Sequence, residues 1–177
     1  MQRMNVDEQS ASGQPIPAEL VIQRAGETDW ERVKAVRLAA LEESPGAFGS
    51  TLAKEREYAD TAWRQWCRDT ATFLALQDGI PIGMAAGVDG TSHEERKLIA
   101  MWLHPAHRGS GAAAALLTAI GNWAQDDGAA TLMLWVTRGN DLAAGLYRRA
   151  GFTETGASKP LPSNPSVIED QLSLDLS

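Results

Sequence analysis

The chain has 177 residues, with 23 acidic and 16 basic side chains and a net charge of -7 at neutral pH. This length suits one domain that buries a large core without disulfides or metals. The excess of acid argues against nucleic acid as a partner and mildly favours a cationic substrate. The single cysteine, Cys67, cannot form an internal disulfide, so we expect a reducing compartment, the cytoplasm. No C-x-x-C or H-x-x-x-H pair suggests a structural metal, and none is expected.

Residues 1–18 contain Gln, Ser, Pro and Gly but lack the apolar run of a signal peptide. We interpret them as a disordered tail and residues 19–177 as a single domain. The apolar runs in the rest of the sequence are shorter than the roughly 20 residues that a membrane-spanning helix needs. No membrane partner is therefore expected.

The first half of the sequence predicts a strand, two helices and a hairpin. Apolar residues recur at helical spacing before Ser44-Pro45, a pair that disfavours further helix. Asp78-Gly79 is a typical hairpin turn between two apolar runs. The predicted elements are a strand at Leu20–Arg24, a helix at Asp29–Glu43, a loop at Pro45–Thr51, a helix at Thr61–Asp69, and strands at Thr72–Gln77 and Ile80–Ala86.

The second half predicts strands that alternate with helices. A short apolar run stops at His104-Pro105, and a helix with one apolar face follows. This order predicts an α/β fold with a central mixed sheet and helices on its faces. The predicted elements are a polar connection at Val88–Glu95, a strand at Arg96–Leu103, a helix from Gly111 to Gly128, a strand at Thr131–Val136, a helix at Asp141–Ala150, a strand from Phe152, a proline-rich loop at Lys159–Pro165 and a last strand from Val167.

The junction between the strand that ends at Leu103 and the helix that begins near Gly111 carries the clearest functional signal. Gly109 and Gly111 can adopt backbone angles closed to other residues and let a ligand approach the main chain. The first turn of a helix also directs unpaired N–H groups at an anion. The junction therefore predicts a phosphate-binding loop.

Two classes of phosphate-binding loop match this junction. The segment Gly109–Ala114 satisfies the G-x-G-x-x-G/A pattern of dinucleotide-binding folds, but that fold needs an acidic residue about 20 positions later to hold a ribose. The next strand instead ends in Thr137-Arg-Gly-Asn140, without an acid. The G-x-x-x-x-G-K-[ST] loop of nucleotide triphosphatases does not occur in the sequence.

The second class fits better. Arg108–Ala113 matches R/Q-x-x-G-x-G/A, and Asn140–Phe152 matches N-x-x-A-x-x-x-Y-x-x-x-G-F. At this separation the two motifs resemble the acetyl-CoA site of the GNAT superfamily of N-acetyltransferases. A third segment, Arg37–Thr51 followed by Glu55, is similar to a common bacterial subgroup of it. The resemblance implies a twisted mixed sheet of about seven strands flanked by about four helices, with two strands splayed at the acetyl-CoA site.

The resemblance implies acetyl-CoA as co-substrate and no metal. The pyrophosphate should lie on main-chain N–H groups of the glycine loop, with Arg108 adding charge. The pantetheine should pair like an extra strand with the main chain of residues 101–103. Asn140 should cap the following helix and contact the cofactor. The implied cofactor-binding residues are Met101, Trp102, Leu103, Arg108, Gly109, Ser110, Gly111, Ala112, Ala113, Asn140 and Tyr147.

Acetyl transfer to an amine also requires an acid and a base. Tyr147 occupies the position whose phenol protonates the departing thiolate in many relatives, and an ordinary phenol pKa of about 10 suits that role. A base must remove a proton from the amine, and the candidates are Glu94, with His93 and Glu95 beside it, and Glu55. A solvated surface charge is the alternative reading of each.

These features predict an enzyme that moves an acetyl group from acetyl-CoA to a primary amine of a small molecule by direct transfer in a ternary complex. Two alternatives stay open: an acyl-CoA-binding sensor or regulatory module without turnover, and an acetyltransferase of protein N-termini or lysines. The presence of Tyr147 favours an enzyme. The resemblance also allows a homodimer, since dimers are common in the superfamily.

Overall fold

The structure is a computed structural model that describes residues 19–177, and the predicted tail lies outside them. Within these residues no helix is both long and apolar enough to cross a bilayer. The strands and helices in chain order are β1 (Leu20–Arg24), α1 (Trp30–Glu43), α2 (Leu52–Arg56), α3 (Asp60–Asp69), β2 (Ala71–Gln77), β3 (Ile80–Asp89), β4 (Glu95–Leu103), α4 (Ala112–Asp126), β5 (Thr131–Thr137), α5 (Asp141–Arg149), β6 (Thr153–Leu161) and β7 (Asn164–Asp175).

The seven strands form one mixed sheet in the order β1-β2-β3-β4-β5-β7-β6. Neighbouring strands are antiparallel except β4 and β5, which are parallel. The α/β fold with a sheet of seven strands is therefore confirmed.

Five α-helices occur instead of about four, because α2 was not predicted. This helix has only five residues and is started by Thr51, whose hydroxyl accepts a hydrogen bond from the Lys54 N–H at 3.3 Å.

Each face of the sheet has its own apolar core. Successive residues of a strand point to opposite faces, so Ala75 of β2 packs in the core beneath α4 while its neighbour Leu74 packs in the core beneath α1 and α3. The α4 core also contains Leu134 of β5 and Tyr147 of α5. Segments that pack against different cores therefore reach the sheet from opposite sides.

Both predicted connections are shorter in the structure, because the strands are longer than their apolar runs. The polar segment 88–95 is a turn only at residues 90–94, since β3 extends to Asp89 and β4 begins at Glu95. The proline-rich segment 159–165 is a β-hairpin, in which Pro160 pairs with Ile168. Since β6 is an edge strand, a residue without an N–H is tolerated there.

The strands β4 and β5 diverge after a short region of pairing. Their ladder is limited to residues 95–97 of β4 and 131–133 of β5. Further along β4, Ala100 adopts a positive φ of 55°, and the register with β3 shifts between Met84 and Ala86. A bulge of this kind bends a strand away from its partner. The predicted splay at the ligand site is confirmed.

The packing of β3 against α4 can be tested at two glycines. Gly87 of β3 contacts α4, and Gly121 lies within α4. A Cβ built on Gly87 of β3 would lie 2.1 Å from a ring carbon of Trp123. We expect Gly87→Ala to lower the free energy of unfolding by about 1–3 kcal/mol, because an overfilled core forces its neighbours to move. Urea unfolding measures the change.

Gly121→Ala is the matched control, since a Cβ there would meet nothing within 4 Å. Replacing a glycine inside a helix should raise the free energy of unfolding by roughly 0.5–1 kcal/mol. A stabilising Gly87→Ala would contradict the close contact between β3 and Trp123.

Candidate active site

A cavity of about 410 Å³ opens where β4 and β5 diverge. Its walls come from the end of β4, the following glycine loop, the start of α4, the helix α5 and the segment after α1. Phe48 packs in the core beneath α1, whereas Tyr147 packs in the core beneath α4, so the cavity reaches both faces of the sheet. It is lined by Ser44, Ala47, Phe48, Met101, Trp102, Leu103, Arg108, Gly109, Gly111, Ala113, Ala114, Asn140, Leu142, Ala143, Leu146, Tyr147 and Arg149.

The glycine loop is shaped by backbone angles. Gly109 and Gly111 have φ values of 84° and 90°, in the left-handed region that favours glycine. A Cβ at either position would meet nothing within 4 Å, so the backbone angle, and not a lack of space, requires glycine. Gly111 is also the N-cap of α4.

Several N–H groups of this loop are available to a ligand. Within the described residues, the N–H groups of Gly109, Gly111 and Ala113 have no main-chain acceptor. They lie at the positive end of the α4 dipole. Of the other predicted loop residues, Ser110 accepts a hydrogen bond from the Ala112 N–H at 3.4 Å, and the Ala112 side chain is buried. Neither of the two residues lines the cavity.

The three predicted residues of β4 line the cavity from different sides. Met101 and Leu103 pack with the core beneath α4, and Trp102 packs with the core beneath α1. The β5-facing edge of β4 has no strand partner after Lys97. An unpaired strand edge can bind an extended chain that carries amides.

The two predicted polar residues of the α5 segment also line the cavity. Asn140 caps α5, and its Oδ1 accepts a hydrogen bond from the Ala143 N–H at 3.2 Å. Tyr147 is only 6% exposed, and its ring meets Phe152 edge to face at 5.8 Å between centroids. Burial raises the pKa of Tyr147 well above its ordinary value. A phenol with its ordinary pKa of about 10 is already neutral at physiological pH, so Tyr147 carries a proton, which burial holds more tightly.

The comparison of sequences identifies the family. Residues 37–152, more than half of the chain, match the Acetyltransferase (GNAT) family. The chain belongs to this family. The resemblance of the Arg108 and Asn140 motifs is thereby confirmed, and the protein is an acetyl-CoA-dependent acetyltransferase. A comparison with curated proteins found no match.

Solved structures share the GNAT fold at low sequence identity. The protein yncA of Salmonella typhimurium, solved with its cofactor acetyl-CoA, is 19% identical over 90% of this chain and 95% of its own, with a TM-score of 0.75. The ribosomal-protein-alanine N-acetyltransferase of Brucella melitensis is 18% identical over 88% of this chain and 99% of its own, with a TM-score of 0.72. Nourseothricin acetyltransferase is 27% identical over 62% of this chain and 66% of its own, with a TM-score of 0.57.

The two carboxylates predicted as bases of this GNAT enzyme lie elsewhere. Glu94 is exposed in the turn before β4, and its carbonyl accepts hydrogen bonds from the N–H groups of Ala130 and Thr131. Since a strand rises about 3.3 Å per residue, Glu94 lies roughly 20 Å from Met101 at the cavity. A proton cannot pass directly over this distance, so the structure does not bring Glu94 to the cavity.

Glu55 is held in a buried ion pair. Its two carboxylate oxygens accept hydrogen bonds from Arg37 at 2.9 and 2.8 Å, and Glu55 is 3% exposed. The Arg37 guanidinium also lies 4.8 Å from the centroid of the Phe48 ring. Glu55 therefore supports the segment that carries Phe48, and its closed pairing contradicts its predicted role as a base.

Glu43 was missed by the sequence analysis, because a glutamate at the end of a helix has the pattern of a solvated surface residue. Its Oε2 accepts hydrogen bonds from Trp102 Nε1 at 2.9 Å, from Arg108 Nη2 at 2.8 Å and from the Ser44 hydroxyl. The bond from Ser44, followed by those from Trp102 and Arg108, lowers the pKa of Glu43. Its three donors all line the cavity.

Removal of the buried Glu55 carboxylate tests its structural role. We expect Glu55→Ala to lower the free energy of unfolding by about 3–5 kcal/mol, because it leaves the Arg37 charge buried without a partner. Urea unfolding measures this loss. Glu94→Gln is the control, and it should leave both stability and acetyl transfer unchanged. Loss of activity in Glu94→Gln at full stability would contradict the conclusion that Glu94 lies away from the reaction.

Proposed function

We propose that this enzyme moves the acetyl group of acetyl-CoA directly to a primary amine of a small molecule while both substrates are bound. The observation that carries the proposal is the cavity that reaches both faces of the sheet. The glycine loop and α5 border it on one face, and the segment Ser44–Phe48 borders it on the other. Acetyl-CoA and the amine can therefore enter from opposite sides and meet between β4 and β5.

The residues of the first face suit acetyl-CoA. The free N–H groups of Gly109, Gly111 and Ala113 at the start of α4 can hold a pyrophosphate. The unpaired edge of β4 can hold the amides of pantetheine. Asn140 also lines this cavity. Acetyl-CoA supplies the acetyl thioester.

Direct transfer is favoured over a thioester formed on the protein. The lining contains no cysteine in the part of the chain that the structure describes. Cys67 is buried in the core beneath α1 and α3, and burial, with the nearby Asp29 and Glu27, raises the pKa of its thiol. The single unpaired cysteine also suits a reducing compartment, and we place the enzyme in the cytoplasm.

Tyr147 is the proton donor in this proposal. Its phenol carries a proton at physiological pH, and it lines the same cavity as the glycine loop and Phe48. The sulfur that leaves on acetyl transfer needs a proton, and a neutral phenol beside it can supply one.

A small acceptor fits this site better than a polypeptide. The Ser163 hydroxyl donates a hydrogen bond to the Phe48 carbonyl, and Gly49 lies against Pro162. The turn between β6 and β7 is thus tied to the segment after α1, and an extended chain could not cross between them. The likeness to nourseothricin acetyltransferase also favours a small amine. The likeness to a ribosomal-protein-alanine N-acetyltransferase favours the second candidate, a protein N-terminus.

The proposal is tested by CoA release from acetyl-CoA in the presence of diamines, amino-sugars, amino acid amides and an alanine-terminated peptide. We expect turnover with at least one small amine and none with the peptide. Turnover with the peptide alone would favour the second candidate. Tight binding of acetyl-CoA in calorimetry without turnover of any amine would favour a sensor module.

Tyr147→Phe tests the proton donor. We expect kcat to fall by about 10²- to 10⁴-fold, the usual contribution of general acid catalysis, with little change in the KM for acetyl-CoA. Tyr58→Phe is the control, because Tyr58 packs against Trp63 and does not line the cavity. An unchanged kcat in Tyr147→Phe would remove this residue from the mechanism.

A further inference from the structure

We propose that Glu43 binds the ammonium group of the acceptor, and that Arg108 releases Glu43 for this purpose when it turns to the pyrophosphate of acetyl-CoA. The inference rests on the proposed function, since it assumes a cationic amine as acceptor. It adds a binding residue and an order of binding to that function.

The lining of the cavity does not by itself provide a partner for a cation. In the described part of the chain, none of the lining residues is acidic, and two of them, Arg108 and Arg149, are cations. An amine with an ordinary pKa arrives as an ammonium ion. A carboxylate close to the lining is therefore needed.

Glu43 is the carboxylate that meets this need. Among the described residues it is the acid whose side chain hydrogen-bonds to the lining, through Ser44, Trp102 and Arg108. All three donors converge on Oε2, so Oε1 has no hydrogen bond within the described residues. The Glu43 side chain is 34% exposed, so the carboxylate is not enclosed in the core.

Arg108 is shared between the two substrate sites. Its Nη2 lies 2.8 Å from Glu43 Oε2, and the residue directly precedes Gly109 of the pyrophosphate loop. The only other bond of its guanidinium in the described residues is a long one, 3.3 Å from Nε to the Leu103 carbonyl. A pyrophosphate offers more negative charge and more acceptor oxygens than one carboxylate, so the exchange is favourable.

When the Arg108 side chain turns to the pyrophosphate, Glu43 stays charged but loses its counterion. The remaining bonds from Ser44 and Trp102 still stabilise its ionised form. An ammonium can then pair with Glu43 beside the lining residue Trp102. Because the carboxylate is stabilised in its ionised form, Glu43 anchors the ammonium, and water takes the proton that the amine must lose.

The exchange predicts that acetyl-CoA binds before the amine. While Arg108 is paired with Glu43, its positive charge neutralises the carboxylate, and the affinity for a cationic acceptor is low. Once acetyl-CoA holds Arg108, the affinity for a cationic acceptor rises. Linkage requires the converse, so the amine also strengthens the binding of acetyl-CoA.

Glu43→Gln separates this account from a purely structural role. Calorimetric titration with acetyl-CoA should show several-fold tighter binding than in the wild type, because Arg108 no longer leaves a carboxylate. With the best amine of the CoA-release assay, the KM for the amine should rise at least 10-fold, and kcat should change much less. Glu42→Gln is the control, since Glu42 pairs with Arg56 on the surface and both constants should stay at wild-type values.

The outcomes distinguish the two proposals. Weaker binding of acetyl-CoA to Glu43→Gln, or an unchanged KM for the amine, would overturn the role of Glu43 and leave the proposed function standing. If the wild type acetylates none of the amines, the proposed function fails and this inference fails with it. Tighter binding of acetyl-CoA also shows that the variant is folded, so a loss of amine affinity cannot be ascribed to misfolding.

Discussion

The divergence of β4 from β5 is the constraint on which the active site depends. Their ladder stops at Lys97 and Met133, and the positive φ of Ala100 bends the remainder of β4. Had the two strands stayed paired, their own hydrogen bonds would occupy the gap, and neither the cavity nor the free edge of β4 would exist. The sheet nevertheless remains continuous, because β5 pairs with β7 along its whole length.

A gap through a sheet gives one cavity two chemically different entrances. The α4 side presents the N–H groups of Gly109 and Gly111 at a helix start, an environment for anions. The α1 side presents Phe48 and Trp102, and the Glu43 carboxylate accepts a hydrogen bond from Trp102; we propose that this side receives the cationic amine. In the proposed reaction, the fold would keep the negative charge of acetyl-CoA and the positive charge of the amine on opposite sides of the sheet.

The cofactor side could be predicted from the sequence, and the acceptor side could not. Gly109 and Gly111 shape the loop through their own backbone angles. Asn140 caps α5 through the N–H of Ala143, three residues ahead, so local spacing is sufficient to find these residues. The role proposed for Glu43, in contrast, depends on its hydrogen bonds from Trp102 and Arg108, which are 59 and 65 residues away. No local pattern shows which of several glutamates meets them, or that Glu55 is already paired with Arg37.

The burial of the single thiol has a consequence for the working life of the enzyme. Each turnover releases CoA, itself a thiol, and oxidised CoA can form mixed disulfides with reactive protein cysteines. Exchange requires an accessible thiolate, whereas Cys67 is 6% exposed and its raised pKa keeps it protonated. The core that buries Cys67 therefore also protects the enzyme from forming a mixed disulfide with oxidised CoA.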